Sequence, residues 1–128
     1  SEGDLKNAHK LAMKNRLNNI EFIREDSNDR TNFHHKVNNI HGATSIGLLG
    51  YTSDPDKLLS ALSNRVIARG RIYFIDYDRV FKLFRAPDWL RNRHDLILKF
   101  RKHGFHVSYK VDAGWLWDTI HISGYKIK

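Results

Sequence analysis

Two histidines near the carboxyl end of the chain stand in matched settings, His106-Val107-Ser108 and His121-Ile122-Ser123. Imidazole titrates near neutrality and can serve as general acid or base, and a hydroxyl two residues along an extended strand shares its face. Both segments alternate apolar and polar positions, with Asp112-Ala113-Gly114 between them as turn chemistry. With residues 113–116 as the loop, Ser108 is expected opposite His121 and His106 opposite Ser123. Neighbours on such a face lie roughly 5–8 Å apart at Cβ. The same alternation also describes an ordinary solvated sheet face. A second group of residues is cationic. Arg91, Lys99 and Lys102 fall on one side of a helix opened by Pro87, Arg85, Arg93 and Arg101 flank it, and Lys110 lies on the hairpin. Trp115 and Trp117 sit at the hairpin tip, where they could stack on bases, meet a protein partner or a second copy, or fold back onto the core.

These residues need elements to hold them. Residues 4–24 carry apolar side chains near helical spacing. Residues 25–41 read as a polar connection and 42–52 as a short strand or packed loop. Asp54 caps a second helix with Pro55 at its first position and Gly70 at its end, followed by a strand at Ile72 to Ile75. The third helix runs from Pro87 to Gly104 with Trp89, Leu90, Ile97 and Phe100 inward, and a hairpin closes the chain with Val107, Tyr109, Ile120 and Ile122 inward. The expected fold class is α+β: an N-terminal helix and two further helices packed on a small sheet that ends in a C-terminal β-hairpin. The 128 residues suit a single domain, 1–128, divided as helix 1–24, connection 25–41 and α+β core 42–128.

Lys and Arg number 22 against 14 acids, for a net charge of +8, a balance that attracts polyanions. There are no cysteines, which excludes disulfides and thiolate metal sites and suits the cytoplasm, or a virion assembled there. His34, His35 and His41 lack the spacing of a metal site, so no metal is expected. No Walker A loop, dinucleotide-binding glycine pattern or serine elbow is present, so no cofactor is expected. No apolar run is long enough to span a bilayer, so no membrane partner is expected.

Two resemblances bear on function. The paired His-apolar-Ser tripeptides are similar to the motifs of the two-histidine phosphoesterases. That likeness implies an acid–base pair, His106 and His121, acting on a phosphodiester held by Ser108, Ser123 and Lys110. The run from Asp54 to Gly124 resembles small uncharacterised proteins of tailed bacteriophages through Ala68-Arg69-Gly70, Ile72-Tyr73-Phe74-Ile75, Gly104-Phe105-His106-Val107 and Thr119-Ile120-His121-Ile122-Ser123. It implies a viral accessory or virion role. The sequence therefore reads as a basic, non-enzymatic nucleic-acid-associated protein, binding DNA or RNA in genome handling, host takeover or virion assembly. Its contacts would be Arg85, Arg91, Arg93, Lys99, Arg101, Lys102, Lys110, Trp115 and Trp117. The alternatives are a metal-independent phosphodiesterase or ribonuclease, and a virion structural or inhibitory protein bound to another protein.

Overall fold

The computed structural model describes residues 2–23, 37–81 and 83–128. The chain divides into two compact units, Ser1–Arg30 and Thr31–Lys128. The fold is α+β, with an N-terminal helix and a C-terminal hairpin. Most of the expected polar connection, residues 25–36, lies outside the described residues, as do His34 and His35.

In the first unit, α1 spans Glu2–Lys14, with Glu2 and Asp4 in its first turn and Lys14 in its last, each favourable against the helix dipole. Periodicity alone extends this helix to residue 24, yet the backbone closes it at Lys14. Arg16 takes φ 56, Leu17 N donates to Ala12 O at 2.9 Å and Arg16 N to Met13 O at 3.0 Å. This pair of bonds is the Schellman closure, and it satisfies carbonyls the helix leaves open.

In the second unit β1 (Ile40–Ile46) leads through a 3-10 turn (Leu49–Tyr51) and α2 (Pro55–Ser63) to a long β2 (Val66–Val80). A two-residue β3 (Phe84–Arg85) and a short α3 (Asp88–Arg91) precede α4 (Arg93–Lys102) and the hairpin β4 (Phe105–Ala113) and β5 (Trp117–Lys126). The sheet order is β1-β2-β5-β4, with β3 on β2. Strands β1 and β2 are parallel, while β2–β5 and β4–β5 are antiparallel. Parallel strands need a crossover, and α2 is that crossover. Asp54 starts it by accepting from Lys57 N at 2.9 Å, with Pro55 at the first helical position. The Lys126 ammonium closes it by donating to the Ser63 and Val66 carbonyls.

Helix α2 ends at Ser63 rather than at Gly70, which lies inside β2. There β1 advances two residues, Ile40 to Gly42, while β2 advances five, Val66 to Arg71. The extra residues bulge, with Arg69 at φ 65. A Cβ on Gly70 would lie 2.5 Å from Val66 Cγ1, so only glycine fits beside it.

One face of the sheet packs on α2 and α4. Its core includes Leu58, Leu59 and Leu62 of α2, Leu96 and Phe100 of α4, and Ile72, Phe74, Val107, Ile120 and Ile122 of the strands. Phe100 stands edge-on to Phe74 and Phe105 at 5.8 and 6.4 Å, the favoured aromatic geometry. Tyr109, expected inward with these, is 43% exposed, because the helical cover ends before the hairpin does. The opposite face carries Arg71, Tyr73, Tyr77, His121, Ser123, Tyr125, His106 and Ser108, none of them buried.

Candidate ligand cleft at the carboxyl ends of the parallel strands

Strands β1 and β2 end on the same edge of the sheet, and β1 leaves it by a turn at Gly47, φ 68, whose N–H donates to Ile75 O at 2.8 Å. The chain then folds over the end of β2. Asp76, 3% exposed on the inner face of β2, holds it there. Its carboxylate accepts from Leu49 N at 2.6 Å, Gly50 N at 3.2 Å and Tyr77 N at 3.0 Å. Burial raises the Asp76 carboxyl above its ordinary range, and the three backbone donors pull it back part of the way. A Cβ at Gly50 would come within 2.9 Å of Asp76 Oδ1, so the loop can lie this close only with glycine.

The result is a cleft of about 320 Å³ lined by Gly50, Tyr51, Asp76, Tyr77, Val80, Phe84, Arg85, Ala86 and Pro87. Exposed apolar side chains crowd its rim. Tyr51, Leu83, Phe84 and Trp115 are each at least 70% exposed, and Phe81, Leu116 and Trp117 join them. The hairpin tip is fixed beside β2: Phe81 N donates to Leu116 O at 2.6 Å, Val80 pairs with Trp117, and Tyr77 meets Trp117 edge-on at 6.4 Å. Beneath the tip, Asp118 accepts from Gly114 N at 3.2 Å and pairs with Arg79 at 2.6 Å. Trp115 and Trp117 thus stand at this end of the sheet, and Arg85 faces the cleft with no ion-pair partner among the described residues.

The two sequence-matched histidines do not meet. The hairpin register pairs Ser108 with Ser123, His106 with Tyr125 and Lys110 with His121, two residues away from the expected register. A slip of two preserves every side chain's face, so the polar face forms as expected. It nonetheless moves His106 and His121 four residues apart along the strands, about 13 Å at the usual rise. They cannot flank one phosphate. His121 instead faces Tyr73 Oη at 2.6 Å from Nδ1, with Asp112 Oδ2 at 3.2 Å from Nε2. His106 packs on the Tyr125 ring at 5.4 Å.

Most of the cations on the third helix and hairpin are committed within the chain. Lys99 and Lys102 reach Asp56 of α2 at 2.9 and 3.4 Å, with His103 at 2.7 Å. The Lys99 ammonium and the His103 ring together hold the Asp56 carboxyl well below the usual carboxylate range. Arg91 pairs with Asp88 at 3.4 Å, Arg93 with Asp78 at 2.8 Å, and Lys110 with Asp112 at 3.0 Å. Arg101 is exposed on α4. Helix α4 therefore shares the one Asp56 carboxylate between Lys99 and Lys102 and keeps a net positive charge with Arg101. Among the described residues no group of three His, Asp or Glu side chains is placed to hold a metal, and His41 stands exposed on β1. No helix among them is long and apolar enough to cross a membrane.

Sequence reasoning missed Asp76, Gly50 and Tyr51. The only local signal was an acid inside an apolar strand, Phe74-Ile75-Asp76-Tyr77, a place where a carboxylate needs partners.

No family model matches the chain, and no curated protein matches it in sequence. Solved structures do match. The 4+2 cyclase SpnF superposes with a TM-score of 0.71 at 12% identity, over 100% of this chain and 65% of SpnF. The S-adenosylmethionine-dependent methyltransferase SibL gives 0.65 at 16% identity, over 98% of this chain and 41% of SibL. A SAM-dependent methyltransferase from Methanosarcina mazei gives 0.65 at 12% identity, over 100% of this chain and 80% of that one. The chain thus spans less than two-thirds of SpnF and SibL. The chain shares the fold of these proteins.

These matches correct the functional reading. The likenesses to bacteriophage proteins and to two-histidine phosphoesterases give way to matches with methyltransferase-fold proteins. A viral or virion role, a nucleic acid as the main partner, a protein partner or second copy at Trp115 and Trp117, and phosphodiester hydrolysis are set aside with them.

Proposed function

We propose that this chain forms the acceptor side of a methyltransferase-fold protein and that the cleft at the ends of β1 and β2 binds a small, largely apolar substrate. The observation that carries this is the placement of the Asp76-anchored loop. Open α/β sheets bind ligands outside the carboxyl ends of their parallel strands, and here that position is a concave site walled by Tyr51, Tyr77 and Phe84 with one unpaired guanidinium, Arg85. Its apolar walls and single cation suit an apolar body with at most one acidic group. Asp76 spends its carboxyl oxygens on three backbone donors that hold the loop, so the cleft acts by holding and orienting its ligand.

S-adenosylmethionine itself does not fit these residues alone. Its ribose diol and ammonium call for a free carboxylate. The cleft's one acid is spent on backbone, and neighbouring Asp78 is paired with Arg93. The volume of about 320 Å³ also lies at the lower limit of ligand pockets. Residues beyond the cleft's own lining would have to complete such a site.

Indole is a suitable probe, being flat, apolar and neutral. Backbone amide shifts followed during an indole titration are expected to move at Gly47–Tyr51 and Phe84–Ala86, with saturation. Phe84→Ala should weaken binding several-fold without unfolding an exposed site. Shifts absent from these segments, or unchanged affinity in Phe84→Ala, would remove the cleft as the binding site.

A further inference from the structure

A second concavity lies away from the cleft, on the open face of the sheet toward the start of β2. It is the larger of the two, about 780 Å³, and is lined by Gly42–Thr44 of β1, Arg69 and Arg71–Tyr73 of β2, His106 and Ser108 of β4, and Ser123–Tyr125 of β5. The nearest lining residues of the two sites on β2, Tyr73 and Asp76, are three residues apart, about 10 Å of strand, and lie on opposite faces of the sheet.

Its chemistry is one-sided. Arg69 and Arg71 both line it, and neither has an ion-pair partner among the described residues. His106 and the hydroxyls of Ser108 and Ser123, 3.3 Å apart, add further donors. No aspartate or glutamate lines the pocket. Tyr73 and Tyr125 supply flat aromatic walls. The Tyr73 hydroxyl is held by His121, whose Nδ1 lies 2.6 Å from Oη. The other ring nitrogen, Nε2, lies 3.2 Å from Asp112 Oδ2, so the imidazole is fixed between the two side chains.

The backbone supports a ligand role independently. Arg69 adopts φ 65, a left-handed conformation that a long side chain takes only at a cost. Glycine would relieve it. The bulge that imposes this conformation also brings Arg69 into the same concavity as Arg71. Bulges and strained residues of this kind gather at ligand sites because they re-aim side chains.

We infer that the open face binds a small organic oxyanion on a flat ring, its phosphate or carboxylate held between Arg69 and Arg71 with His106, Ser108 and Ser123 donating, and its ring between Tyr73 and Tyr125. No bond is made or broken there. Planar, forked guanidinium groups are suited to oxyanions of this shape.

Phenyl phosphate, benzoate, inorganic phosphate and phenol serve as probes, with amide shifts locating each one. Phenyl phosphate is expected to move amides at 42–44, 69–73, 106–108 and 123–125, and to weaken with added salt. Phenol should leave them unmoved, and inorganic phosphate should bind more weakly than phenyl phosphate. A tighter benzoate would identify carboxylate as the preferred head group, and a tighter phenyl phosphate would identify phosphate. Arg71→Gln should lose at least tenfold in affinity. Arg69→Gly should lose as much while its melting temperature holds or rises, a combination that a merely structural arginine would not give. Unchanged affinity in both variants, or shifts confined to Gly47–Tyr51, would overturn the proposal. Indole binding in the cleft is read from separate amides, so either site can fail without the other.

Discussion

Replacing Asp76 with alanine tests whether one buried carboxylate builds the cleft. The side chain accepts from Leu49 N, Gly50 N and Tyr77 N. Leu49 is fully buried, so its N–H cannot turn to water, and leaving it unmet costs about 1–3 kcal/mol. The Gly50 and Tyr77 amides border the cleft and can be rehydrated, so each loses only the net worth of a bond, about 0.5–1 kcal/mol. Relief of the buried charge returns part of this, and the balance is about 3 kcal/mol. At a urea slope of about 1.5 kcal/mol/M, the midpoint should fall by about 2 M. Hydrogen exchange at Leu49 and Gly50 should accelerate more than exchange at Phe100, and indole affinity should fall with it. The pH dependence has a definite sign. Burial raises the Asp76 carboxyl above its ordinary value of 3.8, so the folded chain keeps this proton to higher pH than the unfolded chain does. Its contribution is full below 3.8 and declines as pH rises toward the folded value. The gap between parent and variant should therefore be wider in acid than at neutral pH. A midpoint within about 0.3 M of the parent, too small a change for a lost buried acceptor, with unaltered exchange at Leu49, would refute the role assigned to Asp76.

Gly124→Ala should cost about 2 kcal/mol or more, since its Cβ would lie 2.2 Å from His106 O and 2.6 Å from Val107 Cγ1, and urea unfolding will show it. Asp56→Asn should lower the melting temperature by only a few degrees, because its carboxylate is 39% exposed and such pairs contribute on the order of half a kcal/mol. The lowered Asp56 pKa makes its contribution full above the unfolded value near 3.8 and lost as pH falls further, so the difference from the parent should shrink at pH 3 relative to pH 7.

Local signals were sufficient where the forces are local. Asp54, Pro55 and the Leu58, Leu59, Leu62 stripe mark α2, and strict alternation marks β4 and β5. Signals that act at a distance were silent. Gly70 resembles a helix stop, but its role is to lie against Val66 Cγ1 in a bulge set by pairing with β1. That pairing joins Gly42 to Arg71 across a helical crossover, and no short-range pattern encodes it. The hairpin register was off by two because alternation determines parity and is blind to even slips. The consequence was local and large: two imidazoles expected side by side stand about 13 Å apart by strand rise. The cleft was illegible for a related reason. It arises where the ends of two parallel strands meet, and only the acid in Phe74-Ile75-Asp76-Tyr77 hinted at it.

Net charge misled more than any motif. A balance of +8 suggests a cationic surface, but charge is counted along the chain and felt in space. Lys99 and Lys102 share Asp56 from a helix more than 40 residues upstream. Arg93 meets Asp78, and Arg79 meets Asp118. Each partnership sets an acid beside a cation and weakens its local field without changing the sum. The informative cations are those the fold leaves without an acid and also places in a concavity. Arg85 at the apolar cleft is one, and Arg69 with Arg71 on the open face is the other case. Arg69 adds a further distinction, since it is held in a backbone conformation that glycine would adopt more easily. An arginine kept there at the expense of stability, facing another arginine's pocket with no acid in it, is poorly explained by packing and well explained by an anion that is bound between them.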